Sequence, residues 1–550
     1  MPNAAIYLHP DGFDTSAKRL LGRHSAGESF LRGFVRHADV DGFHFWNAAG
    51  TPQPALDALV ARIEAPSRPI RWIPQTAREQ LETPGVLHMP VPEINAEAWR
   101  RLPYGARRYA ITGITHTTAS AAVMRIVPEL LIAPLEDYDA LICTSAAVRA
   151  AVETQLDLMR AYMAEAYGPR RRAELQRVTI PLGVNCADFS ISPEDRKAWR
   201  ERLDIPSDAL VALYVGRFNI RAKMNPALMA MVLERAARRM GQPIYWVNSG
   251  WAESDRELAE YHEETRKLCP SVQYREVDGR APDVRFSIWS VADLFISFSD
   301  NIQETFGLTP VEAMAAGLPS VVSDWDGYKD TVRDGLDGFR VPTLAPRPRY
   351  GGDLAYWYNN GWLTYDHYIG ATGQCVAVDL GKAEAALVAL LTDEGLRRKM
   401  GAEAQARARA VFDWSAIIPQ YQALWADQNA RRRAATGPAP GSVNPLAPDP
   451  FTLFASYPTR HLSPEDLVSL NPEMTWPAAC ARLEAPLATY SRFNRPTMAE
   501  VEAVFNRIAA QGPTPVAALR ELVPERRRNY LERGLIWLAR HDVVIIDPPA

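Results

Sequence analysis

Two carboxylates eight residues apart, Glu304 and Glu312, stand in the stretch Ala292–Asp330, ADLFISFSDNIQETFGLTPVEAMAAGLPSVVSDWDGYKD. Acids placed on either side of a Phe-Gly turn can accept hydrogen bonds from a bound ligand. Structural roles compete with that chemistry. Thr309-Pro310-Val311-Glu312 fits a capping box, with Thr309 as N-cap, Pro310 at the first helical position and Glu312 three residues after the cap. Cap and ligand contact therefore have equal standing for Glu312, and Glu304 on its own reads as a solvated loop acid. A second group is cationic: Arg217, Arg221 and Lys223 in GRFNIRAKMNPALMA, directly after an apolar run. Standing alone, these would be a solvated charged turn. A third candidate is His116 in ITGITHTTAS, at the end of another apolar run, where a lone histidine is more often structural.

The elements around these residues are those of a parallel α/β sheet. Leu294–Phe298 is a short apolar run with β-branched and aromatic bias, hence a buried strand. The polar loop Ser299–Gln303 follows, then a helix that starts at the Thr309 cap and is ended by Gly317 and Pro319, then a second buried strand, Pro319–Ser323. In a strand–loop–helix–strand unit, ligands bind beyond the carboxyl ends of the strands, which is where Ser299–Gly307 falls. Upstream, the strand-like segments Ala4–Leu8, Phe43–Trp46, Ile70–Ile73, Tyr109–Ile114 and Ala140–Cys143 alternate with helix-like ones and predict a first α/β domain. Gly27, just before Glu28 in LLGRHSAGESFLRGFVRH, reads as a strand-to-helix turn; ligand approach to a helix N-terminus there is the alternative. A polar helix, Glu194–Leu203, and the strands Ala209–Val215, Ile244–Asn248 and Val272–Val277 open a second α/β domain.

Bulk properties exclude several classes. The 550 residues are 47% hydrophobic, enough for several cores. Net charge is −4, from 61 basic and 65 acidic residues, which gives no drive toward nucleic acid or acidic membranes. Cys143, Cys186, Cys269, Cys375 and Cys480 are odd in number and contain no Cys-x-x-Cys pair, so zinc and a disulfide framework are not expected and a reducing compartment fits. The first residues have neither the basic region nor the apolar core of a signal peptide, and no run of about 18 apolar residues occurs.

The segment ETFGLTPVEAMAAGLPSVVSD resembles the donor-site signature of retaining nucleotide-sugar glycosyltransferases of family 4 (glycosyltransferase group 1). The resemblance implies the GT-B architecture, two facing Rossmann-like domains, and metal-independent transfer of a sugar from a nucleotide-diphosphate donor with retained anomeric configuration. By this resemblance Glu304 lies by the donor sugar, Glu312 binds the nucleotide ribose, and the turn Phe306-Gly307-Leu308 offers backbone N–H groups to sugar and phosphate. Arg217 and Lys223 resemble the family's pair that grips the diphosphate, where fixed cations stabilise the charge gained as the glycosidic bond breaks. The spacing is one residue longer than the usual pattern, so Arg221 rivals Lys223. His116 resembles the acceptor-side histidine that faces the donor sugar. Thr305 replaces a usual glycine, Phe298-Ser299 replaces a usual Pro-Ser, and the paired glycines of the family's first loop are missing. No cofactor and no metal are implied. The triplets Asp39/Asp41, Asp137/Asp139 and Asp324/Asp326 have the Asp-x-Asp form of metal-using transferases but read as turn or surface acids.

The expected organisation is an acceptor-side domain over 1–190, a donor-binding domain over 191–412, a crossover helix over 413–434, a linker over 435–455 and a small, mainly helical, winged-helix-like domain over 456–550. Residues 344–375 form an insertion with seven aromatic residues, Tyr350, Tyr356, Trp357, Tyr358, Trp362, Tyr365 and Tyr368, suited to sugar stacking or to a local core or interface. From Met498 to Ala550 seven arginines balance seven acids, a poor footprint for nucleic acid, so the C-terminal domain reads as a docking module for a protein partner or a second copy. The expected protein is a cytoplasmic transferase whose partners are a nucleotide-sugar donor and an unidentified glycan, lipid or small-molecule acceptor. A nucleotide-sugar epimerase of the same architecture and a non-catalytic scaffold subunit are the alternatives.

Overall fold

The computed structural model describes residues 3–13, 22–168, 174–436, 441, 443–491 and 495–549. They fall into two compact units, Met1–Leu446 and Ala447–Ala550. Residues 437–440 and 442 of the expected linker lie outside the described residues.

The first unit holds two parallel sheets. Strands β1 (Ala5–Leu8), β2 (Phe43–Asn47), β3 (Ile70–Pro74), β4 (Val86–His88), β5 (Ala110–Ile114), β6 (Ala140–Cys143) and β7 (Gln176–Thr179) are ordered β3-β2-β1-β4-β5-β6-β7. Strands β8 (Leu210–Val215), β9 (Ile244–Gly250), β10 (Gln273–Asp278), β11 (Leu294–Ser297), β12 (Ser320–Ser323) and β13 (Gly338–Val341) are ordered β10-β9-β8-β11-β12-β13. The central strands are short apolar runs because helices cover both faces: Leu294–Ser297 and Ala140–Cys143 are buried at every position. Each order doubles back once, between β1 and β4 and between β8 and β11, and at such a switch point the loops leave the carboxyl ends in opposite directions and open a crevice. Strand β4 is a sheet member that the sequence signals poorly. It is three residues long, and its His88 is fully enclosed, which holds the imidazole down to about 3.

Two structural findings correct local expectations. The helix Gly22–His37 begins five residues before Gly27, so Gly27 is an internal helical residue. Its missing Cβ would sit 2.2 Å from the Gly12 carbonyl oxygen, so glycine is needed there for close packing. Asp139, expected at a turn or surface, is fully buried and receives both terminal nitrogens of Arg101 at 2.7 Å, while the backbone N–H of Ile111 donates to it at 2.8 Å. Asp39, Asp41 and Asp137 are exposed as expected.

The helix Trp414–Ala434 returns the chain from the second sheet to the first. Asp413 accepts from the backbone N–H of Ser415 at 2.9 Å, capping this helix, and from that of Cys186 at 3.0 Å, tying it to the end of the first half. The Trp414 indole fills the space left by two glycines: a Cβ on Gly33 or Gly183 would lie 2.4 or 2.6 Å from its ring. Its Nε1 donates to Ser29 Oγ at 2.7 Å. Fourteen residues on, the buried Gln428 donates to the carbonyls of Ile111 and Tyr138 and accepts from Thr112 Oγ1. A polar side chain is tolerated in this core because its hydrogen bonds are made.

The second unit is a three-stranded antiparallel sheet, β17 (Thr514–Pro515), β16 (Leu467–Leu470) and β18 (Val544–Asp547) in that order, packed with the helices Met498–Gln511, Val516–Arg520 and Arg528–Arg540. A capping box opens the first of these helices, Thr497 accepting from the Glu500 N–H and Glu500 accepting from the Thr497 N–H.

Because Trp414 is held between two glycines with its indole N–H bonded, truncation leaves a cavity that neither backbone can fill. Trp414→Ala is expected to destabilise the first unit by about 3–5 kcal/mol; denaturant unfolding with the midpoint unchanged would refute this role for the residue.

Candidate functional site

The loops after β8 and β11 meet at the second switch point, and they carry most of the candidate residues. Lys223 Nζ donates to Glu304 Oε2 at 2.5 Å, with the two side chains only 20% and 14% exposed. Burial alone would lower the Lys223 ammonium; the Glu304 carboxylate and the Tyr214 hydroxyl beside it hold it above its ordinary value. Side chain to backbone bonds lash the two loops together. Gln303 Nε2 donates to the Ala222 carbonyl at 2.7 Å and Asn301 Nδ2 donates to the Arg221 carbonyl, while Trp325, in the loop after β12, donates its Nε1 to the Asn301 carbonyl at 3.0 Å. Arg217 stands at the start of the first loop, half-buried, its guanidinium 3.5 Å from the Ala222 carbonyl. Between the two rivals the geometry differs: Lys223 faces Glu304, whereas Arg221 is exposed.

The turn Phe306-Gly307-Leu308 is held by a second pair of glycines. Gly307 has φ of 85°, and a Cβ there would lie 2.2 Å from the Tyr328 ring; a Cβ on Gly327 would lie 2.3 Å from Phe306 Cα. Phe306 is buried against Phe412, with centroids 6.0 Å apart. This left-handed Gly307 is itself the N-cap of the helix Leu308–Ala315, with no side-chain cap. The capping-box expectation is therefore overturned: Thr309 lies inside the first turn, because the glycine's positive φ starts the helix two residues earlier. Relieved of a capping role, Glu312 faces a cleft lined by Glu28, Arg32 and Asn185 from the first half and by Arg285, Leu308 and Glu312 from the second. Burial raises its carboxyl, and Arg285 and then Lys223 oppose that rise. Arg285 escapes sequence reasoning, since one arginine on the short helix Pro282–Ser287 carries no motif.

His116 lies two residues beyond the carboxyl end of β5, half-buried, its Nε2 2.9 Å from the Pro90 carbonyl oxygen. The halves touch close by. Asp330 accepts from the Ala146 N–H at 2.6 Å, at the first turn of the helix Ala146–Tyr167. Ser145 Oγ is 3.5 Å from Asp326 Oδ1. The insertion also spans both halves. Antiparallel strands β14 (Thr343–Leu344) and β15 (Ala377–Val378) close its base, and the helices Gly352–Asn359 and Tyr365–Gly373 lie between. Ile369 is fully buried with Ala119 of the first half and Ala222 of the second. Tyr365 and Thr117 hydroxyls are 3.2 Å apart, and the Ala121 N–H donates to the Tyr358 hydroxyl at 2.9 Å. Tyr358 and Tyr368 stack at 4.3 Å, while Tyr350, Tyr356 and Trp362 remain exposed. Of the two roles open to these aromatics, interface is the one that Tyr358, Tyr365 and Tyr368 fill.

Among the described residues no group of three His, Cys, Asp or Glu is placed to hold a metal ion. Asp326 is the acid that sequence undervalues. Its backbone takes the left-handed φ of 42°, and burial, with the neighbouring Glu304 carboxylate adding in the same sense, pushes its carboxyl up to about 8. Asp300, in the loop after β11, is pushed up to about 7 by burial. A carboxyl whose folded value is raised binds a proton that the unfolded chain has released, so its contribution to stability falls as pH rises from about 4 through the folded value. Asp326→Asn keeps a residue that tolerates the left-handed backbone and removes one such group. The decline in melting temperature between pH 5 and 8 is expected to be shallower in the variant, with Asp300 retaining part of it; identical profiles would contradict the assignment.

With this geometry in place, comparisons with known proteins are informative. Residues 195–346 match the family described as glycosyl transferases group 1. A D-inositol 3-phosphate glycosyltransferase of Nocardioides sp. is 30% identical over 191 residues, 32% of this chain and 39% of that protein. A lipopolysaccharide 1,2-N-acetylglucosaminetransferase of Salmonella typhimurium is 29% identical over 167 residues, 30% of this chain and 42% of that protein. A phosphatidyl-myo-inositol mannosyltransferase of Mycobacterium tuberculosis is 25% identical over 342 residues, 62% of this chain and 73% of that protein. The chain thus spans about two fifths of the first two relatives (39% and 42%). Among solved structures, Anabaena Alr3699/HepE in complex with UDP and glucose is similar with a TM-score of 0.48 and 15% identity, over 77% of this chain and 100% of that one. Arg217, Lys223, Glu304 and Glu312 all lie inside the segment that matches the glycosyl transferases group 1 family.

Proposed function

We propose that the protein is a retaining glycosyltransferase that moves a sugar from a nucleotide-diphosphate donor to an acceptor, without a metal ion. The observation that carries the proposal is the meeting of Lys223 and Glu304 from separate loops at the switch point, beside Arg217 and Glu312 and within the matched segment. In this reading Arg217 and Lys223 bind the diphosphate and stabilise the charge that develops on it as the leaving group departs. Glu312, with Arg285 beside it, takes the ribose hydroxyls. The Phe306-Gly307-Leu308 turn presents N–H groups at the positive end of the helix Leu308–Ala315, where phosphate is favoured. Glu304 lies against the transferred sugar, and His116 faces that sugar from the acceptor side. The acceptor enters from the first half, on the same side as the leaving phosphate, which helps to take its proton. The acceptor is a glycan, a lipid headgroup or a small molecule, met in the cytoplasm. No helix among the described residues is long and apolar enough to cross a membrane.

Three measurements test this reading. Arg217→Ala and Lys223→Ala should each weaken nucleoside diphosphate binding by roughly tenfold or more, the scale of a lost charge-assisted bond; unchanged calorimetric affinity would remove them from the site. Glu304→Gln should leave nucleotide affinity nearly intact and lower turnover about 10²-fold, whereas Glu312→Gln should lower affinity with the melting temperature retained. Normal turnover of Glu304→Gln together with a lower melting temperature would make Glu304 structural. Slow transfer to water gives an assay that needs no acceptor: nucleotide-sugars are screened for hydrolysis, and the sugar first released should keep the donor's anomeric configuration and persist in excess EDTA. Inverted sugar contradicts retention, an epimerised nucleotide-sugar points to the epimerase alternative, and loss in EDTA restored by Mn²⁺ contradicts metal independence.

A further inference from the structure

We propose that the C-terminal unit contains a binding site for a phosphorylated small ligand or headgroup, formed by Arg495, Arg533 and Arg540 around Trp537. The site is independent of the proposed transferase reaction. It is built by one helix and the segment that crosses it. Arg533, Trp537 and Arg540 recur at intervals of four and three along the helix Arg528–Arg540, so they share one face, with His541 just past its end. Gly534 lets the crossing segment come close: a Cβ there would lie 2.5 Å from Pro496 Cγ. This close approach sets the guanidinium of Arg495 over the Trp537 ring, 5.2 Å from its centroid. Trp537 is fixed in turn, its Nε1 donating to the Ala488 carbonyl at 3.2 Å. The resulting pocket is lined by these residues with Tyr490, Ser491 and His541, and among the described residues no carboxylate lines it.

The charge arrangement distinguishes these arginines from five others of the unit. Arg460, Arg482, Arg520, Arg527 and Arg528 are each held by an acid, respectively Asp466, Asp542, Glu532, Glu500 and Glu521. Arg495, Arg533 and Arg540 have no such partner among the described residues; Arg495 donates only to the Ala488 carbonyl, at 3.4 Å, and the Nε atoms of Arg495 and Arg533, like that of Arg528, are buried without a hydrogen bond. Three arginines lining one pocket repel one another unless an anion joins them. Guanidinium forks match the oxygens of a phosphate in geometry and charge, and the flanking Trp537 and Tyr490 offer flat apolar surface to a ring attached to it. Burial, and after it Arg540 and Arg482, hold the His541 imidazole below its ordinary value. A long nucleic acid is disfavoured by the equal numbers of arginines and acids over 498–550.

The test uses the full chain carrying Lys223→Ala, so that the cleft of the first unit contributes little. Inorganic pyrophosphate is titrated by calorimetry, and vesicles of phosphatidylcholine with and without phosphatidic acid are tested by co-sedimentation, which separates a free phosphate ligand from a lipid headgroup. Binding is expected in at least one arm, and Arg533→Gln should weaken it roughly tenfold or more, with Arg533→Lys between the two. Arg540→Gln, at an exposed position that the fold does not need, should weaken it as well and serves if Arg533→Gln fails to fold. Binding unchanged by these substitutions, or absent from both arms, overturns the proposal. Capture of duplex DNA with neither pyrophosphate nor vesicles bound overturns it in favour of a nucleic-acid surface.

Discussion

The ion pair between Lys223 and Glu304 is the contact around which the second sheet's carboxyl edge is arranged. Two mostly buried charges are costly to hold singly, because removing one partner strands the other away from water. As a pair at 2.5 Å they neutralise each other, which lets both sit at the switch point. The supporting structure exists to keep them there. Asn301 and Gln303 join the two loops through backbone carbonyls, and Trp325 ties the loop after β12 to Asn301, so that neither loop can drift without breaking a satisfied hydrogen bond. Gly307 and Gly327 let the following turn and Tyr328 interlock at a distance that any Cβ would forbid. The pair is thus a preorganised pair of charges, and preorganisation is what makes such charges effective on a reaction.

Closure of the cleft depends on contacts that cross between the halves, and these differ in kind. The helix Trp414–Ala434 is an apolar anchor, with Trp414 seated on two glycines and Gln428 fully bonded at the other end. Asp330 meeting the Ala146 N–H is electrostatic, an acid at the positive end of a long helix. The insertion adds tyrosine hydroxyls to Thr117 and Ala121 and one buried side chain, Ile369, wedged between the halves. The anchor joins the halves at one side of the cleft, while the hydroxyl contacts are few and individually modest.

Much of the donor-side architecture is legible in the sequence, since short apolar runs bounded by Gly and Pro mark the strands, and the acid–turn–acid motif marks the loop between two of them. The failures have local physical causes. Thr309-Pro310-Val311-Glu312 satisfies every rule for a capped helix start, yet Gly307 takes a positive φ and begins the helix first; a propensity rule could not see the packing of Tyr328 that demands this. Strand β4 is only three residues long and includes a histidine, so no periodicity announces it. Asp139 looks like a turn acid because its partner, Arg101, is 38 residues away in sequence. Asp326 and Tyr365 belong to the site only through tertiary approach, from the far side of a turn and from the insertion. The second unit's strand Leu467–Leu470 alternates weakly and pairs with segments near the chain's end, so its partners are remote in sequence.

The most direct test of this account is a crystal structure of the full chain with a nucleoside diphosphate bound. The account predicts that the diphosphate lies between Arg217 and Lys223, that Lys223 Nζ turns from Glu304 to a phosphate oxygen, and that the ribose hydroxyls meet Glu312. A nucleotide bound elsewhere, with the Lys223–Glu304 pair intact and Glu312 untouched, would contradict it.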